Sequence, residues 1–195
     1  MATDTCLVFY SWASDHPNST NRSFIEKALH HAAKAVRADD TIQIEPVIDR
    51  DTQGVPGSPD IASTILAKID QADIFVCDIS IVDDQVRRPA PNPNVLLELG
   101  YAFRVLGPDR IIMVMNSAFG TPELLPFDLR MRRVTSYRRP ERSDDEGRGR
   151  KELEATLVAA LRTIMQRLPP TVTSRAHSAA DSSSSSARSR RGQQA

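Results

Sequence analysis

Residues 73–80, DIFVCDIS, are apolar almost without a break. A strand with one wet face alternates apolar and polar residues, whereas a nearly continuous apolar run belongs to a strand covered on both sides. Such a strand needs helices above and below it, and the flanking sequence supplies them. CLVFYSW (6–12), TIQIEPVID (41–49), RIIMVMN (110–116) and RRVTSY (132–137) read as four more strands. The segments between them carry helical periodicity. From about Asn21 to Arg37, Ile25, Ala28, Leu29, Ala32 and Val36 fall on one face. Ser58-Pro59-Asp60 opens a second helix, expected to bury Ile61, Ile65 and Ile69. Asn92-Pro93 opens a third. A final helix, about Lys151 to Leu168, sets Leu153, Leu157, Leu161 and Ile164 in register. The stretch SAFGTPELLPFDLR reads as a long loop or irregular helix.

Strands separated by helices of this length imply βαβ units, and hence an α/β fold with a central, mostly parallel five-stranded sheet between two helical layers. The expected domain spans residues 1–168. Residues 169–195 are serine-rich, hold four arginines and one acid, and cannot build a core, so they are expected to form a disordered tail.

Several classes of function are set aside by composition and motif. Acidic and basic residues balance at 25 each, so the chain has no net field to draw in nucleic acid or an anionic membrane. No apolar run is long enough for a membrane span, and the N-terminus lacks the pattern of a signal peptide. The two cysteines, Cys6 and Cys77, lie in strand-like segments and read as reduced core thiols, which fits a cytoplasmic protein. There is no phosphate-binding glycine loop, no nucleophile elbow and no zinc-binding helix motif. The histidines fall in a loop, on a helix surface or in the tail, so no metal site is expected. The basic cluster Arg130, Arg132, Arg133, Arg138 and Arg139 brackets a strand and reads as solvated surface, with a diphosphate or a neighbouring subunit as the alternative.

The odd residue is Glu98, a carboxylate inside PNPNVLLELGYAF (91–103). Burying it is costly unless something pairs with it or uses it. On a helix starting near Asn92, Asn94, Glu98 and Tyr101 share one polar line, while Val95, Leu99, Ala102 and Leu106 form the apolar one. In parallel sheets, ligands sit beyond the carboxyl ends of the strands, where the following helix begins. Glu98 is therefore aimed at a crevice, or else it is tied in an ion pair with Arg50 or Arg130. The same strand ends deliver Phe9, Tyr10, Ser11 and Trp12, then Asp49, Arg50 and Asp51, then Asp78 and Ser80, then Asn116. Rings, a hydroxyl, an arginine and carboxylates suit a ribose–base ligand: carboxylates accept sugar hydroxyl protons, rings stack on a base, and Arg50 can meet a phosphate.

LVFYSW, IDRDTQGVPGS, DIFVCDIS, NPNVLLELGYAFRVLG and RIIMVMN…LPFDLR together resemble bacterial TIR-like domains, over about residues 5–137. The resemblance implies a flavodoxin-like three-layer sandwich, akin in architecture to nucleoside deoxyribosyltransferases. It implies an enzyme that cleaves NAD at the nicotinamide–ribose bond, with NAD as substrate and no further cofactor. The products in that family include ADP-ribose-derived signals of antiphage defence that act on downstream effectors, and its domains assemble as homo-oligomers. By the same resemblance Glu98 is the catalytic glutamate, and Tyr10, Ser11, Trp12, Arg50, Asp78 and Asn94 are pocket residues. Two other readings stand beside it: a non-catalytic nucleotide sensor or interaction module, and a deoxyribosyltransferase-like enzyme. The DDQVRRPAPNP segment ahead of the glutamate helix either closes the pocket or is plain surface.

Overall fold

The structure is a computed structural model that describes residues 4–39, 44–50, 60–83, 85–142 and 146–168. The side chains of Asp4, Ile44, Glu45, Arg50 and residues 146–148 fall outside that description. The elements alternate along the chain: β1 (Asp4–Ser11), α1 (Arg22–Arg37), β2 (Ile44–Arg50), α2 (Ile61–Gln71), β3 (Ile74–Asp78), α3 (Pro93–Val105), β4 (Ile111–Asn116), α4 (Phe127–Arg130), β5 (Val134–Tyr137) and α5 (Glu146–Met165). The strands form one sheet in the order β2-β1-β3-β4-β5, and every pairing is parallel. This is the flavodoxin-like three-layer arrangement.

Sequence dictates which strand goes where. β3, whose five residues are all buried, takes the centre. β2 contains Pro46, which lacks a backbone N–H, and β2 lies at the sheet edge, where a missing donor costs least. β5, only four residues long, forms the other edge, and a short edge limits unwanted strand pairing.

Two cores lie on either side of the sheet. On one face, Val8, Tyr10, Ile74, Val76 and Val114 meet Ile25, Leu29 and Val36 of α1 and Leu153, Leu157 and Leu161 of α5. On the other, Phe9, Phe75, Cys77 and Met113 meet Ile69 of α2 and Val95, Leu99 and Ala102 of α3. The strict alternation of strand side chains decides which residues share a face.

The helix boundaries follow their caps. Asp60 accepts from the Ala62 N–H and starts α2. Asn92 accepts from the N–H groups of Asn94 and Val95 and starts α3, with Pro93 in its first turn. One sequence expectation is corrected here. Ile61, the first residue of α2, is not buried but 62 % exposed; Ile65 is half-buried and Ile69 fully buried. α5 begins at Glu146, earlier than its leucine register suggests, and the long loop before β5 contains the short α4. Residues 169–195 lie outside the described residues. Among those described, no helix is long and apolar enough to cross a membrane.

Candidate active site at the β1–β3 seam

From β1 the chain crosses to β2 on one side, then returns to β3 on the other. The β1–β3 seam is thus the topological switch point, the place where open parallel sheets bind their ligands. Ser11, the last residue of β1, lies beside Cys77 in the register. Like Phe9 it points toward the layer of α2 and α3, where Glu98 sits on the second turn of α3. The Ser11 hydroxyl donates to Glu98 Oε2 over 2.6 Å.

Glu98 is half-buried, and its hydrogen bond goes to a serine rather than to a cation. Among the described residues, no arginine or lysine makes an ion pair with it; Arg130 is placed over the Phe127 ring instead. Burial pushes the Glu98 carboxyl above the usual glutamate value, and the Ser11 hydrogen bond pulls in the opposite direction. A carboxylate kept partly dry, with no neutralising charge among the described residues, exerts a stronger field on its surroundings than one in water. Asn94 lies one turn earlier on α3, exposed, at i−4 from Glu98.

The other expected pocket residues lie elsewhere. Tyr10 is fully buried in the α1–α5 core, one residue out of phase with Ser11, and its hydroxyl reaches only the Arg22 carbonyl at 3.5 Å. Asp78 is 3 % exposed and also faces α1. Its Oδ2 accepts from Asn21 Nδ2 at 2.8 Å, and its Oδ1 accepts from the Ser80 N–H at 3.0 Å and the Ser80 hydroxyl at 2.5 Å. Burial pushes its carboxyl up, opposed by those same hydrogen bonds. Trp12 is half-buried, with the Arg22 guanidinium 3.4 Å from its ring centroid. The side chain of Arg50 lies outside the described residues, and Asp49, next to it, pairs with Lys68 at 2.8 Å. Ser11 and Glu98 are brought together, Asn94 shares the helix face of Glu98, and Tyr10 and Asp78 are buried on the α1 side of the sheet.

What the sequence did not single out is the polar network beneath the crevice. Asn21, before α1, reads as a helix cap, yet its side chain makes no cap and spans to Asp78 and to Ser80 Oγ at 2.9 Å. Asn116, at the end of β4, donates to the carbonyls of Thr20 and Arg139 and to Asn21 Oδ1, and its N–H meets Ser80 Oγ. The Tyr137 hydroxyl of β5 donates to the Thr20 carbonyl. The β1–α1 loop is thereby riveted to the ends of β3, β4 and β5. The visible signal was a polar residue directly after each apolar strand, but not its partner.

The same loop is pinned to the entry of α3. Asn92 donates to Asp15 at 2.8 Å, and His16 Nε2, which must carry the proton in this geometry, donates to the Ile81 carbonyl at 2.9 Å while its ring stacks on Phe119. Ile81 and Pro91 form an isolated bridge, so the segment between them is pinched at its base, with Gln85–Arg88 exposed. Within the basic cluster Arg139 is buried, while Arg132 sits on the Phe103 ring.

A cavity of about 510 Å³ lies elsewhere, between the first residues of β4, the start of β5, Phe103 and the second half of α5. It shares no residue with the Ser11–Glu98 pair. Its lining includes the exposed Arg132 and Arg133 and the carboxylate of Asp109, which stands before β4 rather than at the carboxyl end of a strand. Among the described residues no cluster of His, Cys, Asp and Glu is arranged to hold a metal ion.

Fold and site together define a doubly wound parallel α/β protein with a desolvated carboxylate at its switch point. No family model matches the chain, and no curated protein matches its sequence.

Proposed function

We propose that the protein is a TIR-like enzyme that cleaves the nicotinamide–ribose bond of NAD, as a glycohydrolase or as a cyclase or transferase, with Glu98 as its catalytic residue. The observation that carries this reading is the placement of Glu98: a partly dried carboxylate at the switch point, without a cationic partner among the described residues. In NAD the bond from ribose C1′ to the pyridinium nitrogen breaks with its electron pair going to nitrogen, and nicotinamide departs neutral. No acid is needed for the leaving group, in contrast to ordinary glycoside cleavage, which uses two carboxyl groups. One carboxylate facing the positive charge that develops on the ribose is sufficient. Water, a ring nitrogen of the adenine or an acceptor hydroxyl then takes C1′, giving the linear, cyclic or transferred product.

The immune role and the homo-oligomer enter by resemblance to bacterial TIR-like domains, carried chiefly by N-P-N-V-L-L-E-L-G-Y-A (92–102), and the cytoplasmic location by the two cysteines, Cys6 and Cys77, read as reduced core thiols. The test is nicotinamide release from NAD by the purified protein beside Glu98→Gln. Release by the wild type and its loss in the variant support the reading. Equal release by both removes Glu98 from the chemistry. Thermal stabilisation by NAD with no release in either protein turns the assignment to a nucleotide-binding module, and base exchange on a deoxynucleoside turns it to a transferase of that class.

A further inference from the structure

We propose that Ser11 is a positioning residue, which holds Glu98 Oε2 from inside the sheet and commits Oε1 to the ligand. This rests on the reading of Glu98 as the catalytic carboxylate. Ser11 is 3 % exposed, so its side chain has no face left for a substrate. Its one proton is spent on Glu98 at 2.6 Å, a length typical of a hydroxyl donating to a charged carboxylate. The contact joins the end of β1 to the second turn of α3, two elements that the sheet and the lower core hold at fixed separation. One carboxylate oxygen is therefore anchored to rigid structure, and the side chain cannot swing to offer either oxygen at random.

Among the described residues, no other group near the seam duplicates this role. Cys77, beside Ser11 on β3, is a fully buried thiol and a poor donor. On α2, Lys68 is joined to Asp49 and Asp70 accepts from Tyr101. In the β1–α1 loop, Asp15 is held by Asn92 and His16 by the Ile81 carbonyl. Asp78 faces the opposite side of the sheet with its oxygens occupied. Among the described residues, the ionised form of Glu98 is thus supported by the Ser11 hydroxyl, which offsets part of the cost of burial.

The experiment titrates Glu98 directly. Protein carrying carbon-13 at its glutamate carboxyls is followed by NMR across pH, with the Glu98 signal assigned by its loss in Glu98→Gln, and nicotinamide release is measured over the same range. In Ser11→Ala the Glu98 midpoint rises, and at neutral pH kcat falls about ten- to a hundredfold while KM holds. Raising the pH restores kcat. Ser11→Cys, close in volume and a weak donor, falls between the wild type and Ser11→Ala, and serves if the alanine variant does not fold. A midpoint that stays put in either folded variant overturns the proposal, as does a rise in KM alone, which marks a ligand contact. A midpoint that moves in a protein releasing no nicotinamide upholds the role of Ser11 and removes only the NAD-cleaving reading.

Discussion

Asp78 and Glu98 are both carboxylates buried to some degree at the carboxyl end of the sheet, and they face opposite layers. Asp78 turns toward α1 and is enclosed by Asn21 and Ser80; Glu98 lies in the α2–α3 layer and, among the described residues, hydrogen-bonds to Ser11. The difference is one of parity. Ser11 and Cys77 are adjacent in register and point to the α2–α3 side, so Asp78, one residue on, must point away. One acid is a rivet and the other is available.

A partly buried carboxylate without a cationic partner among the described residues costs stability. Glu98→Gln removes the charge and keeps an acceptor for the Ser11 hydroxyl. The variant is expected to lose nicotinamide release by about a hundredfold or more. It is also expected to gain about 1 kcal/mol at neutral pH, or about 2–4 °C in melting temperature. Calorimetry beside the activity assay checks both; a variant that loses activity and stability together points to a structural role for Glu98.

The pH dependence has a definite sign. Burial raises the folded-state pKa of both Glu98 and Asp78 above the unfolded value, so the native state holds protons the unfolded chain has already released. Their contribution to stability is fully present below the ordinary carboxylate range and is lost as pH rises through the raised folded-state values. On the proposed function, catalysis would run the other way, because only ionised Glu98 can face a cation. Denaturant melts across pH, in wild type and Glu98→Gln, should show a falling contribution that is partly absent in the variant. The acid limb of nicotinamide release should rise over the same window.

Much of this architecture was legible because parallel strands announce themselves: IFVCD and IIMVMN are apolar runs too short for helices and too continuous for half-exposed strands. Glu98 was legible as a charge misplaced in an apolar helix. Side-chain partners were less so. Tyr10 and Ser11 are neighbours in sequence, and both looked like crevice residues. Only the register of β1 against β3 shows that one enters the α1–α5 core while the other reaches Glu98. Asn21 was hidden for a different reason, since an asparagine before an amphipathic helix is ordinarily its cap.

The rivet itself can be tested. Asp78→Ala leaves Asn21 Nδ2 and the Ser80 N–H without their carboxylate acceptor in a site closed to water. The expected loss is about 2–3 kcal/mol, measured by urea denaturation. Asp78→Asn also fails to substitute, because one side of the amide presents N–H groups to donors. A loss below about 0.5 kcal/mol in Asp78→Ala would show that water reaches these groups after all.

Gly120 marks the tightest approach in the loop after β4. Its φ of 145° is one that side chains rarely adopt, and an added Cβ would lie 2.9 Å from Ile81 Cγ1 and 3.0 Å from Ile81 Cβ. Ile81 cannot retreat, since it is fully buried and its carbonyl holds His16. Gly120→Ala is expected to cost about 2–3 kcal/mol by thermal or urea melts. Because the displaced residue anchors the β1–α1 loop, the variant should also expose His16 to faster exchange of its ring N–H.

Tyr10 separates packing from chemistry. A residue that stacks on a base or contacts a ribose would lose substrate affinity when its ring is trimmed and would respond to loss of its hydroxyl. A core residue responds to volume alone. Tyr10 has no exposed surface, and its hydroxyl makes one contact at the limit of hydrogen-bond length. Tyr10→Phe should therefore change stability by less than about 1 kcal/mol and leave KM for NAD where it was. Tyr10→Leu, which keeps an apolar side chain but leaves a void between β1 and α1, should cost about 2–4 kcal/mol in urea denaturation. At temperatures where the variant is folded, its KM should again match the wild type. A KM that rises in Tyr10→Phe would place this ring against the ligand, despite the strand parity that turns it into the α1–α5 core.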